Sequence, residues 1–547
     1  MTGTALRAAP TYRVRNRLVF RWWDWILYTA LTVAAAVVGW RVLGAWRADA
    51  IWVDRAWVGL VLSAFVVVSI GMYGVRWLTL PLMRRPVHRA PSPGWRVGVV
   101  TTFVPGAEPI EMLEQTVRGL VAMRYPHDTW VLDEGDADEV RQLCDRLGAR
   151  HFTRKGRPEY QTVTGAFASK TKHGNYNAWL AAAGYEAYDI IVNFDPDHIP
   201  EPHFLERTLG YFDDPEIGYV QAAQVYYNRS AGTVARGAAE ETYAYYSSIQ
   251  MSSYALGYPI VTGCHTAQRV GALRGVGGFA PHEADDLLIT VHYRAARWRG
   301  VYVPETLAQG LVPVDWPGYL KQQRRWARSV LDVKFRRFRA VAGRLGRVER
   351  VVSFGHGLHY LHGIGTAVGL GVLGYLLATG TPAGAFRPAV LWQALALVAV
   401  LQGCELYRQR FFLNPSVEAG LHLRSGILRF AKWPYVLIAV WDVIRTADHP
   451  YLITRKLKDT RRRFLLAPPH LLVAGALTAA WVLGGLRGES RSAFIQLAAA
   501  GIVALAVALS VSELRAPPDS FDADLARRRD RPGPGERQSS VPARIGR

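Results

Sequence analysis

The sequence predicts an α/β domain on an open, largely parallel sheet, inserted between groups of membrane-spanning helices. Three observations carry this. Long apolar runs stand toward both ends of the chain and leave its middle clear. The middle, residues 96–339, alternates short β-branched runs with helical stretches, the pattern of an α/β sheet. Aspartates stand where two of those runs end, the edge at which open α/β sheets bind ligands.

In chain order, residues 1–21 form a basic cytoplasmic segment. No small-residue cleavage site follows it, so the first apolar run reads as a retained membrane helix. Residues 22–40 and 56–75, within a two-span unit at 22–75, are each long enough to cross about 30 Å of hydrocarbon. The stretch 76–96 carries Arg84, Arg85 and Arg89 among the helix breakers Pro81, Pro86, Pro91 and Pro93, and reads as the cytoplasmic exit. Within 96–339, strands are expected at 97–103, 129–132, 189–194 and 219–227, with helices at 112–123 and 177–187.

Residues 340–405 then supply an interfacial segment and two spans, at 360–378 and 388–404. In 406–465, an apolar stretch at 423–445 is interrupted by Arg429, Lys432, Pro434 and Asp442. It reads as an interfacial helix, followed by a basic cytoplasmic loop at 455–463. A last pair of spans falls within 466–511, and the Arg-, Pro- and Asp-rich tail, 515–547, is expected to be disordered. Six spans keep both termini and the α/β domain on the cytoplasmic side, with the basic loops beside it.

The charge agrees with this reading. Lys and Arg number 65 against 44 Asp and Glu, a net +21 over 547 residues. Such a surplus calls for anionic partners, and the apolar runs select membrane lipid over nucleic acid. Cys144, Cys264 and Cys404 lie too far apart in sequence for a ligand or disulfide pattern.

Four motifs carry candidate chemistry. Asp195-Pro196-Asp197, at the end of a buried-looking strand, offers two carboxylates that can share a hard cation, Mg²⁺ or Mn²⁺; a solvated turn would look the same in isolation. Such a cation neutralises the diphosphate leaving a sugar donor. Asp286 is a candidate base for the acceptor hydroxyl, with Asp285 as its competitor, although an acidic helix start also explains both. Gln322-Gln323-Arg324-Arg325-Trp326 brings a guanidinium suited to phosphate beside an indole on which a sugar can stack; an amphipathic juxtamembrane helix is the plainer reading. Lys172-His173-Gly174-Asn175-Tyr176-Asn177 reads as a polar loop before a helix, with Asn as N-cap and Lys172 within reach of a phosphate. Gly277-Gly278-Phe279 reads as a flexible turn. His198 and His265 read as packing or hydrogen-bonding residues, and Cys264 as an inert buried thiol.

Taken in order, these motifs resemble the family 2 glycosyltransferases, in their membrane-embedded, processive, cellulose-synthase-like branch. The resemblance runs over roughly 96–463 and rests on Leu132-Asp133-Glu134-Gly135, the Lys172–Asn177 motif, Asp195-Pro196-Asp197, Val220-Gln221-Ala222-Ala223-Gln224, Gly277-Gly278-Phe279, Asp286 and Gln322-x-x-Arg325-Trp326. It implies the nucleotide-sugar-binding fold called GT-A. Asp133, Lys172, Asp195, Gln322 and Arg325 would bind the donor, and Asp195 and Asp197 the metal. Asp286 would be the base and Trp326 the floor of the acceptor site. The partners implied are a UDP-sugar, UDP-glucose first, and a growing polysaccharide led through the helices, with accessory export subunits left open. Transfer of one sugar to a lipid acceptor is the alternative, and a nucleotide-sensing transporter a remote one. The expected location is the plasma membrane. Departures from the family pattern are Glu134 for a second Asp, Ala284-Asp285-Asp286 for Thr-Glu-Asp, and only a partial gating-loop match at Thr454-Arg455-Lys456.

Overall fold

The computed structural model describes residues 12–446 and 464–515. The expectations for 1–11, for the basic loop with its Thr454-Arg455-Lys456 motif, and for the tail from 516 lie outside the described residues.

A seven-stranded sheet forms the middle of the chain. Its strands are β1 (Val97–Phe103), β2 (Asp128–Asp133), β3 (Arg150–Phe152), β4 (Ile190–Phe194), β5 (Ile217–Ala222), β6 (Thr266–Arg269) and β7 (Arg299–Val303). Their order across the sheet is β7-β5-β6-β4-β1-β2-β3. All neighbours are parallel except β6, which runs antiparallel to both β4 and β5. The expected parallel sheet is therefore mixed. The interior strand β1 is buried along almost its whole length, as a strand covered on both faces must be, and its β-branched composition follows.

The stretch expected as one strand at 219–227 divides. Ile217–Ala222 stays in the main sheet, and Val225–Tyr226 joins a separate three-stranded sheet with Ile199–Pro200 and Ala308–Gly310. Strands β3 and β6 carry too little apolar alternation to be read from sequence, whereas β7, with Val301-Tyr302-Val303 at its end, is a short β-rich run not among the strands expected. Register places Asp133 opposite Phe103, and Phe194 opposite Thr101, so Asp133 and Asp195 emerge at the same edge of the sheet.

Among the described residues, six helices are long and apolar enough to cross a membrane: Trp22–Arg47, Ala56–Leu82, Leu358–Thr379, Pro388–Gln409, Ala467–Leu486 and Ala493–Leu514. Two precede the α/β domain and four follow it. The single interfacial helix expected at 423–445 is two helices, Leu423–Ala431 and Trp433–Ile444. The break falls at Lys432, because Pro434 has no N–H to continue the first helix but suits the first turn of the second.

Candidate functional site

Beyond the carboxyl edge of the sheet lies a cavity of about 1770 Å³ that runs from the strand ends to the second and fourth spans. Lys172, Asp195, Asp197, Asp286, Gln322, Arg325 and Trp326 all line it, although 154 positions separate the first from the last. Asp133 does not. Its carboxylate is buried and already occupied, accepting N–H bonds from Gly135 at 2.8 Å and Ala137 at 2.6 Å and lying 3.2 Å from His151 Nε2. Those bonds hold its carboxyl below the usual range despite the opposing effect of burial. Asp133 thus shapes the turn after β2, and the side chain at the cavity wall is its neighbour Glu134.

Glu134 is held by Arg154, which sequence reading missed. The Arg154 side chain is fully buried and grips Glu134 through Nε at 2.9 Å and Nη2 at 2.7 Å. Its remaining N–H groups donate to the carbonyls of Tyr160, Phe167, Ala168 and Thr171, which folds the following loop against the site. Nothing in the local pattern around Arg154 distinguishes it from a surface arginine.

The Lys172 motif is not a loop. Lys172–Trp179 is helical from its first residue, and Thr171, not Asn, is the N-cap, its hydroxyl accepting from the Gly174 N–H at 3.1 Å. A Cβ at Gly174 would lie 2.2 Å from the Ala168 carbonyl oxygen, so the close backbone approach that glycine permits is to this chain itself. Lys172 Nζ reaches Asp195 Oδ1 at 2.5 Å and the Gly263 carbonyl at 2.8 Å. Asn177 faces inward: its Nδ2 donates to the Phe279 and Ala166 carbonyls, and its Oδ1 accepts the Phe279 N–H at 2.8 Å. The Gly277-Gly278 turn is therefore pinned, not flexible. Gly278 has φ +85°, and a Cβ there would stand 2.5 Å from Asn177 Oδ1.

Ligand atoms of Asp195, Asp197 and His198 lie within 4.8 Å of one another. Two carboxylates and an imidazole at that separation suit one divalent cation, so the residues fit the metal the motif implies. His198 also bonds His265 at 2.9 Å between ring nitrogens, a buried pair beneath the carboxylates. Burial then lowers His265 to about 3, keeping it neutral. Cys264 is buried, and its thiol is pushed well above the ordinary value.

Asp285 and Asp286 open the helix Asp285–Ala295 and both line the cavity. The acidic helix start and the site residue are the same feature. Asp286 keeps one oxygen on the Leu287 N–H at 2.7 Å, while Asp285 accepts the Asp286 N–H at 3.0 Å. Burial, then the Asp285 charge, push the Asp286 carboxyl up to about 7; the positive charges of Lys172 and Arg325 oppose this. A carboxylate in that range suits proton abstraction near neutrality.

The Gln322–Trp326 motif lies in the helix Trp316–Asp332, capped by Asp315. Helical spacing divides the motif between two jobs. Arg325 and Trp326 face the cavity. Arg324 turns away and pairs with Asp442 of the Trp433–Ile444 helix at 2.8 Å. One turn later Arg328 pairs with Glu283, just before the two aspartates. This helix thereby ties the candidate base to the membrane-proximal helices.

An α/β domain, set between helices long and apolar enough to cross a membrane and opening toward them, is what the fold and cavity define. Comparison with known proteins specifies it further. Residues 97–329 match the family described as glycosyltransferase like family 2. The cellulose synthase catalytic subunit [UDP-forming] of Xanthomonas axonopodis pv. citri (strain 306) is 26% identical over 350 residues, which cover 61% of this chain and 45% of that protein. Cellulose synthase 1 of Komagataeibacter xylinus is 27% identical over 324 residues, covering 55% and 20% respectively. The chain thus spans less than half the length of these relatives. Among solved structures, the mannosyltransferase PcManGT from Pyrobaculum calidifontis, in complex with GDP-Man and Mn²⁺, is similar with a TM-score of 0.48 and 18% identity, covering 72% of this chain and all of that one. Residues 97–329 are thus similar to glycosyltransferase family 2, and the chain's curated relatives include cellulose synthases.

Proposed function

We propose that this protein is an inverting glycosyltransferase that moves a hexose from a UDP-sugar to a growing polysaccharide at the cytoplasmic face of the plasma membrane. The observation that carries the proposal is the shared cavity: Asp286, the Asp195–Asp197 pair, Arg325 and Trp326 line one space that continues to the membrane spans. The names of the relatives in cellulose synthesis support the UDP-hexose donor and the polymeric acceptor.

In this reading Asp195 and Asp197, with His198 adjacent, hold the divalent cation, which supplies charge neutralisation to the departing diphosphate. Lys172, Gln322 and Arg325 grip and orient that diphosphate from the other walls. Asp133 acts indirectly, by fixing the turn that presents Glu134 to the nucleotide. Trp326 offers its indole face to the acceptor sugar. Asp286 takes the proton of the attacking hydroxyl as the oxygen bonds to the anomeric carbon and the bond to the diphosphate breaks, so configuration inverts in one displacement.

Transfer of a single sugar to a lipid is favoured by one observation: the far end of the cavity is walled by aliphatic side chains such as Val68, Val75 and Val351. The experiment presents the purified protein in lipid nanodiscs with a panel of UDP- and GDP-sugars and measures released nucleotide and product size. One UDP-hexose should give nucleotide release with a long product. Asp286→Asn should lower that rate about 10²- to 10⁴-fold while retaining UDP binding. A fully active Asp286→Asn protein removes the assignment.

A further inference from the structure

Beneath the Asp195–Asp197 pair, a line of polar groups runs in one hydrogen-bonding direction. It ends at the Ala223 carbonyl, which can only accept. His265 Nδ1 lies 3.1 Å from that oxygen and so carries the ring's proton. A neutral imidazole has one N–H, which leaves His265 Nε2 as an acceptor. His198 Nδ1, 2.9 Å away, donates to it, and the His198 lone pair therefore falls on Nε2. The other side of the ring agrees. Gln224 Oε1 accepts the Tyr246 hydroxyl at 2.6 Å, which turns the Gln224 amide N–H toward His198 Nε2 at 3.4 Å, a contact long enough for a cation to displace.

His198 Nε2 stands 4.0 Å from Asp197 Oδ2. Two ligands that each sit about 2.1 Å from one ion span nearly that distance. The His198 ring has little room to turn, since it is buried and a Cβ at Gly310 would lie 1.9 Å from it. His265 is fully buried, with the Phe194 ring 5.5 Å and the Phe204 ring 6.4 Å from its own. Its backbone holds φ +55°, a state that side chains rarely adopt. Strain of this kind gathers at functional sites.

We propose that His265 is a positioning residue that fixes the His198 tautomer, so that His198 Nε2 joins Asp195 and Asp197 on the cation and biases the site toward Mn²⁺ over Mg²⁺. The role rests on the cation-dependent sugar transfer proposed above and selects its ion. Mg²⁺ takes oxygen ligands, whereas an imidazole nitrogen suits first-row transition ions. His265 touches neither ion nor donor. It acts through His198, as the hydrogen-bond partners behind metal-bound imidazoles do.

The test uses the full chain in lipid nanodiscs, stripped with EDTA, dialysed and kept free of sugar donor. Mn²⁺ binding is read from loss of the free-ion EPR signal, and Mg²⁺ binding from competition with Mn²⁺. Wild type should bind Mn²⁺ at least about tenfold tighter than Mg²⁺. Its bound Mn²⁺ should show nitrogen modulation in the pulsed EPR spectrum, the signature of a coordinated imidazole. H265N suits the positive φ, and H265F keeps the ring's bulk; both remove the bond to His198 Nδ1. Each should weaken Mn²⁺ binding about tenfold or more, change Mg²⁺ binding much less, and reduce the nitrogen signal. Unfolding midpoints verify that the variants fold, and either one decides if the other fails. Equal affinity for the two ions in wild type, no nitrogen modulation, or a wild-type Mn²⁺ preference in a folded variant overturns the proposal. An equal loss for both ions overturns it in favour of a packing role. Nucleotide release from UDP-sugars by wild type reports on the sugar-transfer reading separately, since the metal measurements need no donor.

Discussion

Lys172 places its ammonium 2.5 Å from Asp195 Oδ1 and 2.8 Å from the Gly263 carbonyl, bridging the end of β4 to the segment before β6. One cation thereby holds a carboxylate of the cavity wall in place. Lys172→Met should raise the KM for the nucleotide-sugar about tenfold, the worth of one charge-assisted hydrogen bond. Initial rates across donor concentration check this, and an unchanged KM in a folded variant argues against a donor role.

The Asp286 carboxyl, raised to about 7 by burial and then by Asp285, must be ionised to accept a proton. kcat/KM should therefore fall as pH drops through about 7. Asp285→Asn removes the adjacent negative charge, eases ionisation of Asp286, and should move this acid limb to lower pH. A wild-type limb near the ordinary carboxylate value of about 4, or an upward shift in the variant, would contradict the assignment.

Chelation of divalent cations with EDTA should abolish nucleotide release, and added Mn²⁺ or Mg²⁺ should restore it. Asp197→Ala should raise the half-saturating metal concentration at least about tenfold, since even indirect partners of a bound metal have effects of that size. A titration curve superimposable on wild type would count against Asp197 as a ligand.

Gly278→Ala sets a methyl against Asn177 Oδ1 at a backbone angle that disfavours side chains. It should destabilise the domain by about 1–3 kcal/mol. Asn177→Ala, which strands the Phe279 N–H and carbonyl, should cost a similar amount. Denaturant unfolding of the two variants checks both; wild-type stability in Gly278→Ala would mean the turn relaxes freely.

Much of the site was legible because its chemistry sits in short, ordered motifs. Asp195-Pro196-Asp197 follows a strand whose burial is written in Ile190–Phe194, so its place at the sheet edge could be read directly. Strand β6 could not be read: Thr266–Arg269 is polar, and it is a strand because β4 and β5 flank it on both sides. Asp133 shows a related limit of sequence reading. Its position at a strand end is that of a ligand-binding residue, but the Gly135 and Ala137 N–H groups and His151 claim its carboxylate first. Arg154 left no mark in the pattern, because its importance lies in carbonyls contributed by a loop that folds around it.

Local composition, on its own, determined which segments are long and apolar enough to cross a membrane, that an α/β domain stands between them, and which side chains could serve acid–base or metal-binding chemistry, because hydrophobic period and residue type are local properties. Which of those side chains share a space was decided only by tertiary packing. Lys172, Asp286 and Arg325 are brought together by strand order and by a helix tethered through Arg324–Asp442 and Arg328–Glu283. Electrostatic contact of that kind depends on distance in space, which spacing along the chain does not encode.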